Sequence, residues 1–282
     1  MMHLATKPAQ MLGRVPRRAW RWIVRVVLVA LLVPVLLQWI VAYIVGSDAR
    51  ILPPQLLAAK NLLIVTAHPD DECLFFAPSI LGVLDRNRDI TGGLLVMSTG
   101  NNYGLGETRL QELQGSCKAL GIHPKRCIAL NHPDLQDNPK VWWNTELIEG
   151  IVHEHVQQWK IDASFLSHYA ATNPEAPVTF TLTTTSLLRK YTFLGDMPLT
   201  ALPFFWRILS ALSFPATTAN PKDSARALLA NSWDRYIKTR HAFAQHPSQY
   251  TWDRHLYMIV SRYVWFNDLK RVEHVANTPQ QS

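Results

Sequence analysis

The chain of 282 residues carries a formal net charge of +7, with 48% hydrophobic and 17% charged residues. This length allows one large or two small domains with a sizeable core, and the composition is typical of a globular protein with a membrane-embedded segment. The sequence contains no nucleic-acid-binding motif, and six of its 28 basic residues precede Val26. A basic flank beside a membrane segment therefore explains the excess of positive charge.

The three cysteines, Cys73, Cys117 and Cys127, form no C-x-x-C pair. Their odd number and their spacing argue against a disulfide framework and against a cysteine-built zinc site. We therefore expect each of them to be a buried apolar residue.

The segment from Val26 to Val45 is an apolar run interrupted only by Pro34 and Gln38. At helical rise it is long enough to cross about 30 Å of hydrocarbon, which predicts a retained transmembrane anchor. A cleaved signal peptide is the alternative, although the run is long for one. The predicted organisation is a basic tail (1–25), the anchor (26–45), a linker (46–60), an α/β domain (61–270) and a disordered tail (271–282).

Charged residues follow the first predicted strand of the domain, Leu62–Val65. His68, Asp70, Asp71 and Glu72 stand between this strand and a second apolar run, where desolvation is costly unless the charges are paired. Because ligands bind at strand ends in open α/β sheets, the pattern indicates a metal site with one imidazole and one carboxylate as ligands and a second carboxylate as base. The alternative is that the acids only begin the next helix, where the helix dipole favours negative charge.

Alternating strand and helix patterns continue along the chain. The predicted elements are a helix over 73–85, a strand over 90–98, an amphipathic helix ending at Gly121, a strand over 126–130 and a helix over 145–159. This alternation predicts an α/β fold with a Rossmann-like, largely parallel sheet flanked by helices.

The pattern is less clear beyond Ile161. A strand is predicted over 178–183, and helices over 224–245 and 253–269. The apolar segment Leu202–Phe214 is too short to span a membrane, and it is either a core helix or one lying at the bilayer interface.

Six motifs, in this order, resemble the LmbE-like, PIG-L-type de-N-acetylase family in its eukaryotic membrane-bound members. They are AHPDDE (67–72), GNNYGLG (100–106), RLQEL (109–113), LRKY (188–191), HPSQ (246–249) and LYMIVSRY (256–263). The resemblance implies metal-dependent hydrolysis of the N-acetyl group of N-acetylglucosaminyl-phosphatidylinositol, in the synthesis of glycosylphosphatidylinositol (GPI) anchors.

The resemblance also implies roles for individual residues. His68 and Asp71 would bind a divalent metal, usually zinc, and Asp70 would be the general base acting on a water molecule. Arg109 matches an arginine that would hold the inositol phosphate, although a surface arginine on an amphipathic helix is an equal alternative.

Localisation is predicted from two conflicting signals. The resemblance implies a single-pass protein of the endoplasmic reticulum membrane with a cytosolic catalytic domain. The excess of Lys and Arg before the anchor instead places the tail in the cytosol and the domain in the lumen, by the positive-inside rule.

The sequence departs from the family where a G-H-x-N-H motif should supply the third metal ligand and a histidine for the oxyanion. No such motif occurs, and the residues from Ala163 onward resemble the family's next helix, which implies that one core strand is missing. His168 is a candidate substitute ligand and His132 another; the alternative is that neither reaches the metal. Two other functions stay open: an inactive relative that binds its lipid or a partner, and a deacetylase of a soluble N-acetylglucosaminyl compound.

Overall fold

The computed structural model describes residues 16–86, 89–138, 140–165, 173, 176–215 and 225–273. Within these ranges the strands form one sheet. The strands are β1 (Asn61–Thr66), β2 (Thr91–Val96), β3 (Cys127–Ala129), β4 (Ala163–Phe165), β5 (Val178–Leu182), β6 (Arg226–Ala230) and β7 (Phe266–Arg271). Their order is β3-β2-β1-β4-β5-β7-β6, with β1 to β5 parallel and β7 antiparallel to both of its neighbours. The predicted α/β class with a largely parallel sheet is confirmed.

Helices cover the sheet and connect its strands. They are α1 (Arg17–Trp39), α2 (Pro54–Leu57), α3 (Asp71–Leu74), α4 (Ala77–Leu84), α5 (Gly106–Leu120), α6 (Thr145–Trp159), α7 (Leu187–Lys190), α8 (Met197–Ala201), α9 (Phe205–Ser213), α10 (Trp233–Phe243), α11 (Trp252–Val260) and α12 (Arg262–Trp265). The predicted helix over 73–85 is thus two helices, α3 and α4. Gly121 ends α5 with a positive φ of 85°, as a C-terminal glycine does.

The prediction of a helix from Ala163 onward was wrong at its start, because Ala163–Phe165 is strand β4. β4 pairs with β1 on one side and β5 on the other, so the position beside β1 is filled. Three residues are too few to show a periodicity, which is why the strand could not be recognised. His168 lies outside the described residues.

The helices predicted over 224–245 and 253–269 were each too long, because β6 and β7 occupy one end of each segment. β6 consists of Arg-Ala-Leu-Leu-Ala, residues that favour helices, but it is held by the antiparallel pairing with β7. Tertiary pairing overrides local propensity here.

All three cysteines are buried, as expected, but the argument against a disulfide was wrong. Cys117 and Cys127, which are 10 positions apart in the sequence, form a disulfide. Cys117 lies on the buried face of α5 and Cys127 begins β3, so the helix-turn-strand connection brings them together. Cys73 is free and buried, as predicted.

Two apolar clusters lie on opposite faces of the sheet. Alternate residues of a strand point to opposite faces, and Leu62 and Ile64 belong to one cluster while Leu63 belongs to the other. The larger cluster includes Val41 and Val45 from the predicted anchor, whereas the smaller one is built on α6.

Helix α1 and its continuation to Val45 form the one helix, among the described residues, that is long and apolar enough to cross a membrane. The continuation, Ile40–Val45, is wound as a π-helix. One face of the second half is buried against the domain, at Pro34, Gln38, Val41 and Val45. The Gln38 side-chain amide donates to the backbone oxygens of Asn231 and Trp265, 2.9 and 3.1 Å away.

Candidate active site

The turn after β1 brings the charged residues together at the carboxyl end of the central strands. Asp70 has a φ of 118°, outside the range that non-glycine residues normally adopt. Its N–H donates to Glu72 Oε2 over 2.9 Å, while the N–H of His68 donates to Asp71 Oδ2 over 2.9 Å. Side-chain carboxylates thus hold the backbone of the turn, which fixes the direction of the Asp70 side chain.

His68 has a carboxylate near each of its ring nitrogens. The distance from His68 Nδ1 to Asp71 Oδ2 is 4.0 Å, and that from His68 Nε2 to Asp137 Oδ1 is 3.1 Å. His68 Nε2 is inaccessible to solvent, and within the described residues it makes no hydrogen bond. An imidazole nitrogen without a hydrogen bond beside two carboxylates fits a divalent cation, because imidazole and carboxylate are common zinc ligands.

Asp70 is almost fully buried. Burial, with repulsion from Asp71 and Glu72, raises the pKa of Asp70 to about 7, although Arg109 and Arg254 act in the opposite direction. A carboxyl with a pKa near neutrality can both accept and return a proton at physiological pH.

Glu72 and His246 form a buried pair behind the turn. His246 Nε2 lies 2.7 Å from Glu72 Oε1, which also accepts from Ser116 Oγ over 2.5 Å, and both members of the pair have no exposed surface. Burial alone would raise the pKa of Glu72, but His246 and these hydrogen bonds lower it to about 2. The pKa of His246 is raised by Glu72, against the effect of burial.

Glu72, Cys73 and His246 also lie close enough to hold a metal ion. The Glu72 oxygens, however, are already used by His246, Ser116 and the backbone of Asp70. Glu72 and His246 therefore support the turn through hydrogen bonds.

Arg109 is buried on α5, so the alternative of a surface arginine was wrong. Its guanidinium donates to the backbone oxygens of Pro69 and Gly100, over 2.8 and 3.1 Å, and lies 3.6 Å from Asp70 Oδ2. Gly100 has a φ of 70°, and a Cβ there would meet Arg109 at 2.1 Å. Arg109 thus connects the loop after β2 to the turn that carries Asp70.

Replacing Arg109 by Lys is expected to lower both activity and stability. A lysine presents one compact charge and cannot hold the two carbonyls in the fork geometry of a guanidinium. Each hydrogen bond from a charged donor contributes about 1.5–3 kcal/mol, so we expect a lower melting temperature and at least about a tenfold loss of turnover. The matched control is Lys118→Ala, an exposed position on the same helix. Unchanged melting and turnover in the Arg109 variant would refute this role.

The turn opens into a cavity of about 310 Å³. His68, Asp70, Asp71 and Asp137 lie along it together with Arg109, Gln249 and Arg254. The cavity therefore combines a candidate cation site, a buried carboxyl of raised pKa and two arginines.

Comparison with known proteins identifies the family. The family model PIG-L, described as GlcNAc-PI de-N-acetylase, matches residues 63–177. The N-acetylglucosaminyl-phosphatidylinositol de-N-acetylase of Bos taurus is 31% identical over 258 residues, covering 83% of this chain and 93% of the bovine protein. This chain belongs to the GlcNAc-PI de-N-acetylase family. The resemblance seen in the motifs is thereby confirmed.

More distant members of the GlcNAc-PI de-N-acetylase family match over a similar length. The probable enzyme of Dictyostelium discoideum is 26% identical, covering 77% of this chain and 95% of that protein. Among solved structures, the N,N'-diacetylchitobiose deacetylase of Pyrococcus horikoshii matches with a TM-score of 0.47 and 16% identity, covering 81% of this chain and 91% of that one.

In this family member, the structure brings His68, Asp70, Asp71 and Arg109 to one cavity but leaves His132 apart from it. His132 accepts from the backbone N–H of Asp134, which places it at the start of a short turn. The described lining of the cavity adds three polar residues that sequence reasoning did not select: Asp137, Gln249 and Arg254. Gln249 ends the HPSQ motif, which was the available signal for it; nothing in the local sequence distinguishes Asp137 from other loop acids.

Proposed function

We propose that this chain hydrolyses the N-acetyl group of N-acetylglucosaminyl-phosphatidylinositol, giving glucosaminyl-phosphatidylinositol and acetate in GPI-anchor synthesis. The observation that carries the proposal is the burial of Asp70, with its raised pKa, beside the His68–Asp71 pair in one cavity. We infer the substrate from the relatives, which are named as de-N-acetylases of N-acetylglucosaminyl-phosphatidylinositol. Conversion of this glycolipid by membranes containing the chain, measured as acetate released, tests the proposal.

His68 and Asp71 would hold a divalent cation, with Asp137 as a further donor beside His68. We propose zinc, because the family resemblance implies it and because imidazole nitrogen and carboxylate oxygen are both zinc ligands. When bound, such a cation supplies Lewis-acid polarisation and lowers the pKa of water.

Asp70 carries the proton transfers. Its carboxylate accepts a proton from the water that adds to the acetamide carbonyl carbon. The same carboxyl then returns a proton to the nitrogen as the C–N bond breaks, so that glucosaminyl-phosphatidylinositol leaves as a neutral amine. The support of the Asp70 backbone by Glu72 keeps the carboxyl directed into the cavity throughout.

Arg109 and Arg254 provide positive charge for the inositol phosphate. A planar guanidinium suits phosphate oxygens because it donates in a fixed fork. Since Arg109 already donates to the carbonyls of Pro69 and Gly100, we assign the direct phosphate contacts to Arg254. Arg109 adds its positive charge at the cavity lining.

Replacing His68 by Ala is expected to remove bound metal. The variant loses the imidazole that faces Asp137, and the affinity for the metal falls with each ligand that is lost. We expect one equivalent of metal in the purified chain and much less in the variant, measured by elemental analysis. His132→Ala, outside the cavity, is the control. An unchanged metal content after loss of His68 would contradict ligation.

A second candidate function is binding of the glycolipid without turnover. It is favoured by one observation, the absence of a G-H-x-N-H motif from the sequence. Loss of one oxyanion donor typically costs about 10²- to 10³-fold in rate. Metal bound at one equivalent without release of acetate would support this function over hydrolysis.

We place the chain in the endoplasmic reticulum membrane as a single-pass protein, with the domain on the cytosolic face as the family resemblance implies. The basic residues before the anchor and the Cys117–Cys127 disulfide are instead typical of a lumenal domain. Protease added to sealed microsomes should degrade a cytosolic domain. Protection of the domain until the microsomes are opened would reverse the assignment.

A further inference from the structure

Helix α9 and the residues on either side of it present an apolar surface to the outside of the molecule. We call it the α9 surface, and seven large apolar side chains form it, each between 43% and 75% exposed. They are Leu199, Leu202, Phe205, Trp206, Leu209, Leu212 and Phe214. Ile208 is buried on the inner side of the helix. This exposure excludes the alternative of a core helix over 202–214.

A groove of about 350 Å³ separates the α9 surface from helix α1. Val33, Leu37 and Ile40 line it on the side of α1, and Phe205 and Leu209 line it on the other side. The α9 surface is therefore continuous with the apolar side of the predicted anchor.

The length of α1 determines how far the domain beside it must enter the hydrocarbon layer of the membrane. The last charged residue of the helix is Arg25, and Pro34 is the first residue buried against the domain. The eight residues from Val26 to Val33 provide only about 12 Å of free helix at a rise of about 1.5 Å per residue. Because the hydrocarbon layer is about 30 Å thick, a spanning helix must also use the half that packs on the domain.

The α9 surface cannot swing away from α1, because α9 is fixed at its C-terminal end. Arg50, five residues after the end of the anchor, donates to the backbone oxygens of Ser210 and Phe214 over 3.0 and 3.1 Å. Arg50 is itself buried and forms a 2.6 Å ion pair with Asp48. When the second half of α1 lies in the hydrocarbon layer, α9 lies beside it.

We propose that the domain is partly immersed in the bilayer, with the α9 surface among the lipid acyl chains and one acyl chain in the groove between α1 and α9. The inference rests on the membrane anchoring in the proposed function and goes beyond it. Immersion removes the seven exposed side chains from water and supplies the hydrocarbon thickness that the free part of α1 lacks.

The test is the depth of single fluorescent probes on the full-length chain. Leu209→Cys, Leu28→Cys and Glu154→Cys are each labelled with bimane and reconstituted in phosphatidylcholine vesicles that carry a nitroxide on the acyl chains. Leu28 is exposed on α1, while Glu154 is exposed on α6, which packs on the opposite face of the sheet. The native cysteines do not interfere, because Cys73 is buried and the other two are paired.

We expect the nitroxide lipid to quench the probes at Leu209 and Leu28 to a similar extent and to leave the probe at Glu154 unchanged. Quenching at Leu28 without quenching at Leu209 overturns the immersion while leaving the anchor intact. A probe at Leu209 that is shielded from both nitroxide lipid and aqueous iodide also overturns it, since a protein partner or a second copy then covers the α9 surface. Absence of quenching at Leu28 refutes the anchor and the immersion together.

Two further measurements keep the result interpretable. Leu202→Cys, on the same surface, replaces Leu209→Cys if that variant does not fold, and the same lipid quenching is expected there. Acetate release by each labelled chain is measured separately, so failure of the immersion is distinguished from failure of the proposed hydrolysis.

Discussion

Asp70→Asn is expected to lower the rate of deacetylation by about 10²- to 10⁴-fold, the usual contribution of a general base. The amide cannot accept the proton from water, although it has nearly the same shape as the carboxyl. Asparagine tolerates a positive φ better than most residues, so the turn at φ 118° should survive the change. The rate is measured as acetate released from N-acetylglucosaminyl-phosphatidylinositol.

The metal content separates this effect from a structural one. Asp70 is not among the proposed ligands, so the variant should keep its metal and its melting temperature within a few degrees. Asp134→Asn is the matched control, because Asp134 is an exposed acid on a loop outside the cavity. Turnover close to that of the unaltered chain would show that another group is the base.

Glu72→Ala is expected to destabilise the fold by about 3–5 kcal/mol, the usual cost of leaving one partner of a buried ion pair unpaired. The change leaves His246 buried without its carboxylate, and the N–H of Asp70 loses its acceptor. Thermal unfolding in detergent measures the effect. The control is Asp85→Ala, which removes a partly exposed carboxylate from Arg235 and Lys238 and should cost less than about 1 kcal/mol.

The same pair predicts how stability depends on pH. The lowered pKa of Glu72 contributes stability above its ordinary value of 4.5, and this is lost as pH falls toward about 2. The raised pKa of His246 contributes stability below its ordinary value of 6.5, and this is lost as pH rises through the folded-state value. The stability difference between the unaltered chain and His246→Gln should therefore be largest between pH 4.5 and 6.5. A constant difference from pH 5 to pH 9 would refute an ionised pair.

The elements from β1 to α6 could largely be predicted because most of them carry a local signal in the sequence. Helix α6 begins and ends at the predicted residues, Thr145 and Trp159, since one apolar face repeats over four turns. β1 is an apolar run followed by charged residues, which marks both the strand and the site. β6 and β7 give no such signal, because pairing with each other determines their conformation.

The site was predictable only where its residues are adjacent in the sequence. His68, Asp70 and Asp71 lie within four positions, and the family motif contains all three. The support for Asp70 is different, because His246 is 174 positions from Glu72 and meets it only in the folded chain. Arg109 is a second example. The helical pattern of the sequence is equally compatible with a surface arginine, and only the structure shows that Arg109 is buried.

The packing of Gln38 has a consequence for how the protein is made. Its side-chain amide donates to the carbonyls of Asn231 and Trp265, which the ribosome adds about two hundred residues later. In the proposed membrane-anchored protein, the anchor leaves the ribosome first and enters the membrane before these partners exist, so the Gln38 amide lacks them for most of synthesis. The last strands, β6 and β7, must therefore be added against a helix that is already in the bilayer. We therefore expect folding of the catalytic domain to finish at the membrane. A chain that lacks α1 and its continuation should fold poorly, because the larger apolar cluster then lacks Val41 and Val45.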